Sequence, residues 1–348
     1  MSLYSEIDLP HKVGAHIDWQ ESWVLIFRDR KSGCVGFLRT GAYPNQGITQ
    51  THWGMALPDG TRFRSHLLDR KMEPNDRTET SASSGTMKFS IPNMEYVRFE
   101  AHHKDAEADL RLYDFYSSQQ WEMIGASQSH DGGGGEAHGH PESAGRVEGR
   151  VRIGDRVIDI ENGIGYREHG FGPRVIGQKP EELFRSARAH FGTVGPELSY
   201  SVITMHDARG GFHKMGYVMC DGVRKKIKDL HTINYTLGDG FSVVGGMTIV
   251  KLENDELIRI NVETVDGVVT STHLNNGGIG SSSAGIEALS IPTWNGLDGI
   301  CDFNMIDNAH RGQLPVSHLL RANAEDGLSQ RATDMEWVMK ESGLTRLI

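Results

Sequence analysis

The sequence predicts an all-β protein whose antiparallel sheets close into barrels or pack as sandwiches. Three observations predict it. Apolar and polar residues alternate with a period of two over most of the chain, and the i, i+3, i+4 repeat of an amphipathic helix is nearly missing. The alternating runs are also short and separated by Gly, Asn and Asp. Parallel α/β folds need a long crossover, usually a helix, between successive strands, and are excluded.

In chain order, Trp23 to Arg28 and Val35 to Arg39 read as strands, and Asp59-Gly60 as a hairpin turn, because a type I′ turn needs positive φ. From Glu95 to His103, Val97, Phe99 and Ala101 alternate with Arg98, Glu100 and His102, the pattern of a strand with one buried face. Ala108 to Tyr116 puts Asp114 on the parity of Leu110 and Leu112. The stretch Ser127 to Ser143, SQSHDGGGGEAHGHPES, has no apolar period and is expected to be a loop. Arg146 to Ile153 and Val157 to Ile160 are strands, and Pro180 to Leu183 is a candidate short helix. Further strands are Leu198 to His206, Phe241 to Lys251, the alternating Ile258, Ile260 and Val262, and Val268 to Leu274. Hairpin signals stand at Asp221-Gly222, Gly238-Asp239-Gly240 and Asp266-Gly267. Asn275 to Gly285 looks like a second loop, and the tail from Ser317 fits helix or strand equally.

A length of 348 residues implies two domains or one large double layer, with a division near residue 178. Against 46 Asp+Glu stand 36 Lys+Arg, a net charge of -10, so no basic surface is expected to hold nucleic acid. The N-terminus lacks a basic region followed by an apolar stretch, and Val24 to Phe27 is too short to cross a bilayer. A cytoplasmic protein without a membrane span is expected, and a homodimer is compatible with it. Cys34, Cys220 and Cys301 are isolated, which argues against a disulfide framework and a thiolate zinc site. No Walker A, GxGxxG, GxSxG, HExxH or EF-hand pattern occurs.

The densest polar cluster is Gly163 to Arg174, GIGYREHGFGPR. In an extended strand Arg167, His169 and Phe171 project to one face, and Tyr166 and Glu168 to the other. Gly170 and Gly172 leave room for close approach to the backbone. This is either a ligand wall or a bulged strand with a surface Arg/Glu pair and a hydrogen-bonded His. Asp114 is either a buried proton donor or the partner of an Arg on a neighbouring strand. His52-Trp53 joins a titratable group to a large apolar surface, or is a core Trp beside an exposed His. His130, His138 and His140 have metal-ligating chemistry but lie in a stretch without a rigid scaffold, and no metal is assigned to them.

Together with Gly145 to Gly149, Glu21-Ser22-Trp23, Gly36 to Arg39 and Tyr43 to Gly47, the cluster resembles the lipocalin-like family of carotenoid 1,2-hydratase and kievitone hydratase. Members carry G-x-x-x-R-D-H-S-W-G-x-R; Glu168, Gly170 and Phe171 replace its Asp, Ser and Trp. The resemblance implies two consecutive lipocalin-like barrels or half-barrels, residues 1–178 and 179–348, with a ligand pocket where they meet. It further implies a lyase or isomerase of hydratase, dehydratase or cyclase type, needing no cofactor, on a hydrophobic terpenoid, steroid or aromatic intermediate. A lipocalin-like carrier of a lipophilic ligand is the alternative. For catalysis, His169 is the expected proton donor and acceptor and Asp114 the second acid, with Glu168 helping only through a bulge. Arg167 and Arg174 would hold an oxyanion, Phe171 and Trp53 a transient cation, and Tyr166 and His52 would complete the binding set.

Overall fold

The computed structural model describes residues 2–17, 19–125, 139–173, 184–207, 211–236, 243–272, 281–310 and 327–330. Helix among them is confined to three single 3-10 turns, Glu6–Asp8, Pro44–Gln46 and Pro92–Met94, so among the described residues no helical layer covers either sheet. The chain begins with β1 (Trp19–Arg28), β2 (Val35–Tyr43), β3 (Ile48–Ala56) and β4 (Thr61–Lys71). Next come β5 (Ser81–Ser84), β6 (Met87–Ser90), β7 (Val97–His103), β8 (Ala106–Asp114) and β9 (Glu122–Met123). The two longest strands of this half, β10 (Glu142–Ile153) and β11 (Arg156–Pro173), follow. The second half has β12 (Phe184–Gly195), β13 (Leu198–Asp207), β14 (Phe212–Cys220), β15 (Val223–Lys225), β16 (Ile227–Thr236) and β17 (Val243–Leu252). It ends with β18 (Leu257–Thr272), β19 (Ser281–Trp294), β20 (Leu297–Asp298), β21 (Ile300–His310) and β22 (Gly327–Gln330).

These strands form two curled antiparallel half-barrels. The first runs β22-β4-β3-β2-β1-β11-β10-β8-β7-β6-β5 and the second β15-β14-β13-β12-β21-β19-β18-β17-β16. Each half lends the other a strand: β9 pairs with β14, and β22 with β4.

Period-two alternation sorts the apolar side chains into three cores. Trp23, Leu25 and Phe27 point into the first half-barrel with Trp53, Phe63, Phe99 and Leu110. Val24 and Ile26 point the other way and meet Phe191, Ile203, Met215 and Leu289 of the second sheet in a shared middle layer. Tyr200, Val218, Leu230, Ile260 and Phe303 fill the second half-barrel. A strand buried on both faces reads as a continuous apolar run, which explains Trp23-Val24-Leu25-Ile26-Phe27.

Several turns match expectation. Asp221 and Gly222, at φ 50° and 72°, make the tight turn between β14 and β15. At Gly60 the amide bonds the Leu57 carbonyl (3.0 Å), closing the turn between β3 and β4. Asp266-Gly267 is not a turn: it lies inside β18 at a register shift between Thr264 and Asp266. The bulge brings Asp266 against Arg64 of the first sheet (2.5 Å), and the Gly267 carbonyl accepts from the same guanidinium (2.9 and 3.2 Å). The expected loop ending at Ser143 is also shorter, since Gly139 bridges Phe171 and Glu142 opens β10. Likewise Ser281 to Gly285 pair with β21, because small side chains do not prevent a backbone ladder. Of the tail, Gly327–Gln330 is strand; Gly238 to Gly240 and Pro180 to Leu183 lie outside the described residues. Among the described residues no helix is long and apolar enough to cross a membrane.

Arg64 is only 2% exposed, so its pair with Asp266 joins the sheets in a dry environment. Replacing Arg64 with Met leaves the buried Asp266 with only the longer contact to Arg62 (3.7 Å), and urea denaturation should register a loss of about 3 kcal/mol.

Candidate active site

Strand β11 runs without a register break from Ile164 to Pro173 against β1, so its side chains alternate strictly. Arg167, His169 and Phe171 therefore enter the first half-barrel, while Tyr166 and Glu168 face the middle layer. No bulge brings Glu168 round to His169.

On the inner face, Glu21 lies on the parity of Trp19, Trp23, Leu25 and Phe27, a carboxylate in an otherwise apolar row. It is fully buried, and its Oε1 accepts from His169 Nε2 (2.9 Å), His11 Nδ1 (2.9 Å) and the His11 amide (2.9 Å). Arg77 donates to Glu21 Oε2 and to the His11 carbonyl. Burial opposes the charge on Glu21, yet the hydrogen bonds from His11 and His169, helped by Arg77, hold it at about 2. An ionised carboxylate can only accept, so the proton of the neutral His169 ring sits on Nε2 and the lone pair on Nδ1. Nδ1 is buried and has no partner. Burial lowers the His169 pKa below its usual 6.5 against the pull of Glu21, so the ring is neutral at pH 7. Its walls are aromatic: Trp23 stacks at 4.9 Å, and Phe171 lies at 5.6 Å while stacking on His11 at 3.5 Å.

Beside this pair Arg167 holds the N-terminal arm. Its Nε reaches both Asp114 oxygens (3.0 Å each), and Nη2 reaches Asp114 Oδ2 (2.5 Å), Asp8 Oδ1 (2.8 Å) and Ser118 Oγ (2.8 Å). Its guanidinium also lies 5.4 Å from the Tyr4 ring, and the Tyr4 hydroxyl bonds the Leu112 carbonyl (3.0 Å). Asp114 thus takes the ion-pair alternative. Burial raises its pKa and Arg167 opposes the rise. Arg167 itself is held by two carboxylates rather than presented to an oxyanion.

On the opposite face His140 sits between Glu142 Oε1 (3.0 Å) and Glu168 Oε1 (2.9 Å), under the ring of Trp121 (4.1 Å). Burial works against its charge, but Glu168 and Glu142 raise it to about 9. Trp121 Nε1 donates to Glu142 Oε2 (3.1 Å) and Ser201 Oγ (2.8 Å), and Tyr166 donates to Glu142 Oε2 (2.8 Å) and meets the Tyr217 hydroxyl. From the second sheet comes Asp302, whose pKa is pushed well above its ordinary value by burial and then by Glu287.

The predicted residues therefore divide. His169 and Phe171 come together, Asp114 and Arg167 pair beside them, and Tyr166 and Glu168 join a different cluster. Trp53 packs on Phe63 (4.4 Å), in the row of Leu25 and Leu38, two residues along from Trp23. His52 is buried, not exposed, with Nδ1 3.0 Å from His66 Nδ1. Arg174, His130 and His138 lie outside the described residues. Sequence reasoning missed Glu21, His11, Arg77, Glu142 and Trp121. Only Glu21 carried a signal, as the acid in an inward apolar row. Donor atoms of His11, Glu21 and His169, and of His140, Glu142 and Glu168, fall within 4.8 Å of one another, a composition that could hold a metal ion. In both sets the ring nitrogens already face the carboxylates as hydrogen-bond or ion-pair partners.

Two curled antiparallel sheets around a shared layer define a protein of lipocalin-like fold, with buried acid–base pairs on the joining strand. The chain belongs to the family described as domain of unknown function DUF7064, whose profile matches residues 4–309. Among solved structures it is similar to a protein provisionally assigned as AttH from Nitrosomonas europaea: TM-score 0.56, 12% identity, 84% of this chain and 94% of that one. CghA, crystallised with Sch210972, aligns at TM-score 0.55 and 11% identity over 84% and 88% of the chains. Kievitone hydratase from Nectria haematococca aligns at 0.50 and 8% over 84% and 88%. No curated protein matches the chain.

With its pKa raised from 6.5 to about 9, His140 contributes stability in full below pH 6.5 and loses it as pH rises through about 9. Wild type should therefore lose more unfolding free energy over that interval than His140→Gln, as read by urea titrations at both ends.

Proposed function

We propose that the protein is an acid–base lyase or isomerase of hydratase, dehydratase or cyclase type, acting on a hydrophobic small molecule through His169. The Glu21–His169 pair carries this reading. A carboxylate that fixes Nε2–H leaves Nδ1 as the base, and a buried acceptor without a partner costs about 1–3 kcal/mol unless something fills it. A substrate C–H or O–H fills it. The same nitrogen then returns the proton to an alkene carbon or a leaving hydroxyl, so hydration, dehydration and isomerisation share one group.

Trp23 and Phe171 suit an apolar substrate, and their faces favour a transient cation. Arg167, gripped by Asp8 and Asp114 two residues from His169, is a positioning residue in this reading. The hydratase named among the fold neighbours performs chemistry of this kind. Substrate class, terpenoid, steroid or aromatic, follows the notion of an apolar ligand and is decided by the compound the protein carries.

Native mass spectrometry of the protein as isolated, against the denatured sample, identifies that compound. Incubation in deuterated water should then show gain or loss of one water, or deuterium uptake, in the released ligand. His169→Gln should lower the rate roughly 10²–10⁴-fold with near-UV circular dichroism unchanged. Because the neutral ring is the base, kcat/KM should fall as pH drops below 6.5 through the lowered His169 value. A ligand bound but left unaltered would make the protein a carrier instead, and a His169→Gln variant as active as wild type would overturn the role of His169.

A further inference from the structure

His140 follows a histidine-bearing stretch that has no scaffold of its own, and β11 supplies one. The Gly139 amide and carbonyl both bond the backbone of Phe171 (3.0 Å each), and the His169 amide bonds the Pro141 carbonyl (2.9 Å). The chain on either side of His140 is thereby fastened to β11. Glu142 and Glu168 are register partners across β10 and β11. Carboxylates placed directly opposite each other repel, the more so when buried, and a cation between them removes the penalty. His140 lies 3.0 Å from Glu142 Oε1 and 2.9 Å from Glu168 Oε1.

The hydrogen bonding is incomplete on one side. Trp121 Nε1 and the Tyr166 hydroxyl both donate to Glu142 Oε2 (3.1 and 2.8 Å), which fixes a fully buried carboxylate with Oε1 beside the imidazole. The approach of His140 Nδ1 to that Oε1 is not aligned as a hydrogen bond, and both atoms are buried without one. A ring nitrogen and a carboxylate oxygen that share a buried space yet do not bond each other suit coordination to one ion. One donor atom each from His140, Glu142 and Glu168 lies within 4.8 Å of the others. An ion about 2.0–2.1 Å from each needs them no more than about 4.2 Å apart, so a small turn of a carboxylate closes the set.

The set of like composition on the other face is less suited. Glu21 is its one carboxylate, Oε1 already accepts three hydrogen bonds, and Oε2 holds the Arg77 cation. Glu142 Oε2 is held by neutral donors instead.

We propose that His140, Glu142 and Glu168 bind one divalent transition-metal ion of the zinc class. One imidazole with two carboxylates and no thiolate favours Zn²⁺ over soft copper(I). The side chains of His140 and Glu168 are 15% and 14% exposed, so the ion has a way in and a position open to water. Coordination replaces a proton of the imidazole, and in the metal-free protein the imidazolium spans the same two carboxylates. The site lies on the face of β11 opposite His169 and does not rest on the proposed catalysis.

Calorimetric titration of the chelator-treated full chain with zinc chloride should saturate at one equivalent. His140→Gln and Glu142→Gln should each weaken binding by about tenfold or more, at least the loss that follows removal of an outer-shell partner. A variant replacing His130 and His138 with Gln should bind as wild type. Thermal melting of the metal-free variants separates lost binding from lost fold. X-ray absorption on the zinc-loaded wild type reads the same site without any substitution, and one imidazole in an otherwise oxygen shell is expected. A shell of two imidazoles, no saturable zinc binding, or full-strength binding by His140→Gln would overturn the proposal.

Discussion

Burial of β11 on both faces governs the arrangement of charge in this molecule. From Gly163 to Pro173 this strand lies in the middle of the first sheet and borders the second, so the polar side chains of that stretch find partners inside. Arg167 finds Asp8 and Asp114, His169 finds Glu21, Tyr166 finds Glu142, and Glu168 finds His140. None of these partners comes from β11. They come from β1, β8, β10 and the segments flanking them, so satisfying one strand orders much of the first half-barrel.

The two faces differ in what they do with protons. Inside the half-barrel, an ionised glutamate and a neutral imidazole share one proton, with a vacant lone pair among aromatic rings. In the middle layer the imidazole is charged, lies between two carboxylates, and neighbours tyrosines and Asp302 whose pKa values burial raises. One backbone thickness separates a basic nitrogen from an acidic one. The same residue type takes opposite states because one histidine meets one carboxylate beside a cation and the other meets two.

Alternation and turn chemistry are local, so the sequence displayed strands such as Val97 to His103 and turns such as Asp221-Gly222 directly. The bulge at Asp266-Gly267 was not legible, because its purpose is a partner, Arg64, some two hundred residues away. Alternation also separated Tyr166 and Glu168 from Arg167, His169 and Phe171 correctly. It could not supply Glu21, whose significance depends on His169 opposite it, nor reveal that Asp114 and Arg167 neutralise each other. Trp53 and His52 are adjacent in sequence and face opposite layers, so a dipeptide could not indicate which of them meets the site.

The N-terminal arm gives the chain an unusual order of assembly. Asp8 and His11 are synthesised well before β11, yet Asp8 docks on Arg167, 159 residues later, and His11 closes over Glu21 beside His169. During synthesis the opening of the first half-barrel therefore stays unsealed until β11 has emerged, and β4 gains β22 as a neighbour only after the second sheet has been made. Contacts of such span make folding slow and leave apolar strands exposed meanwhile, so the growing chain is a natural client for chaperones.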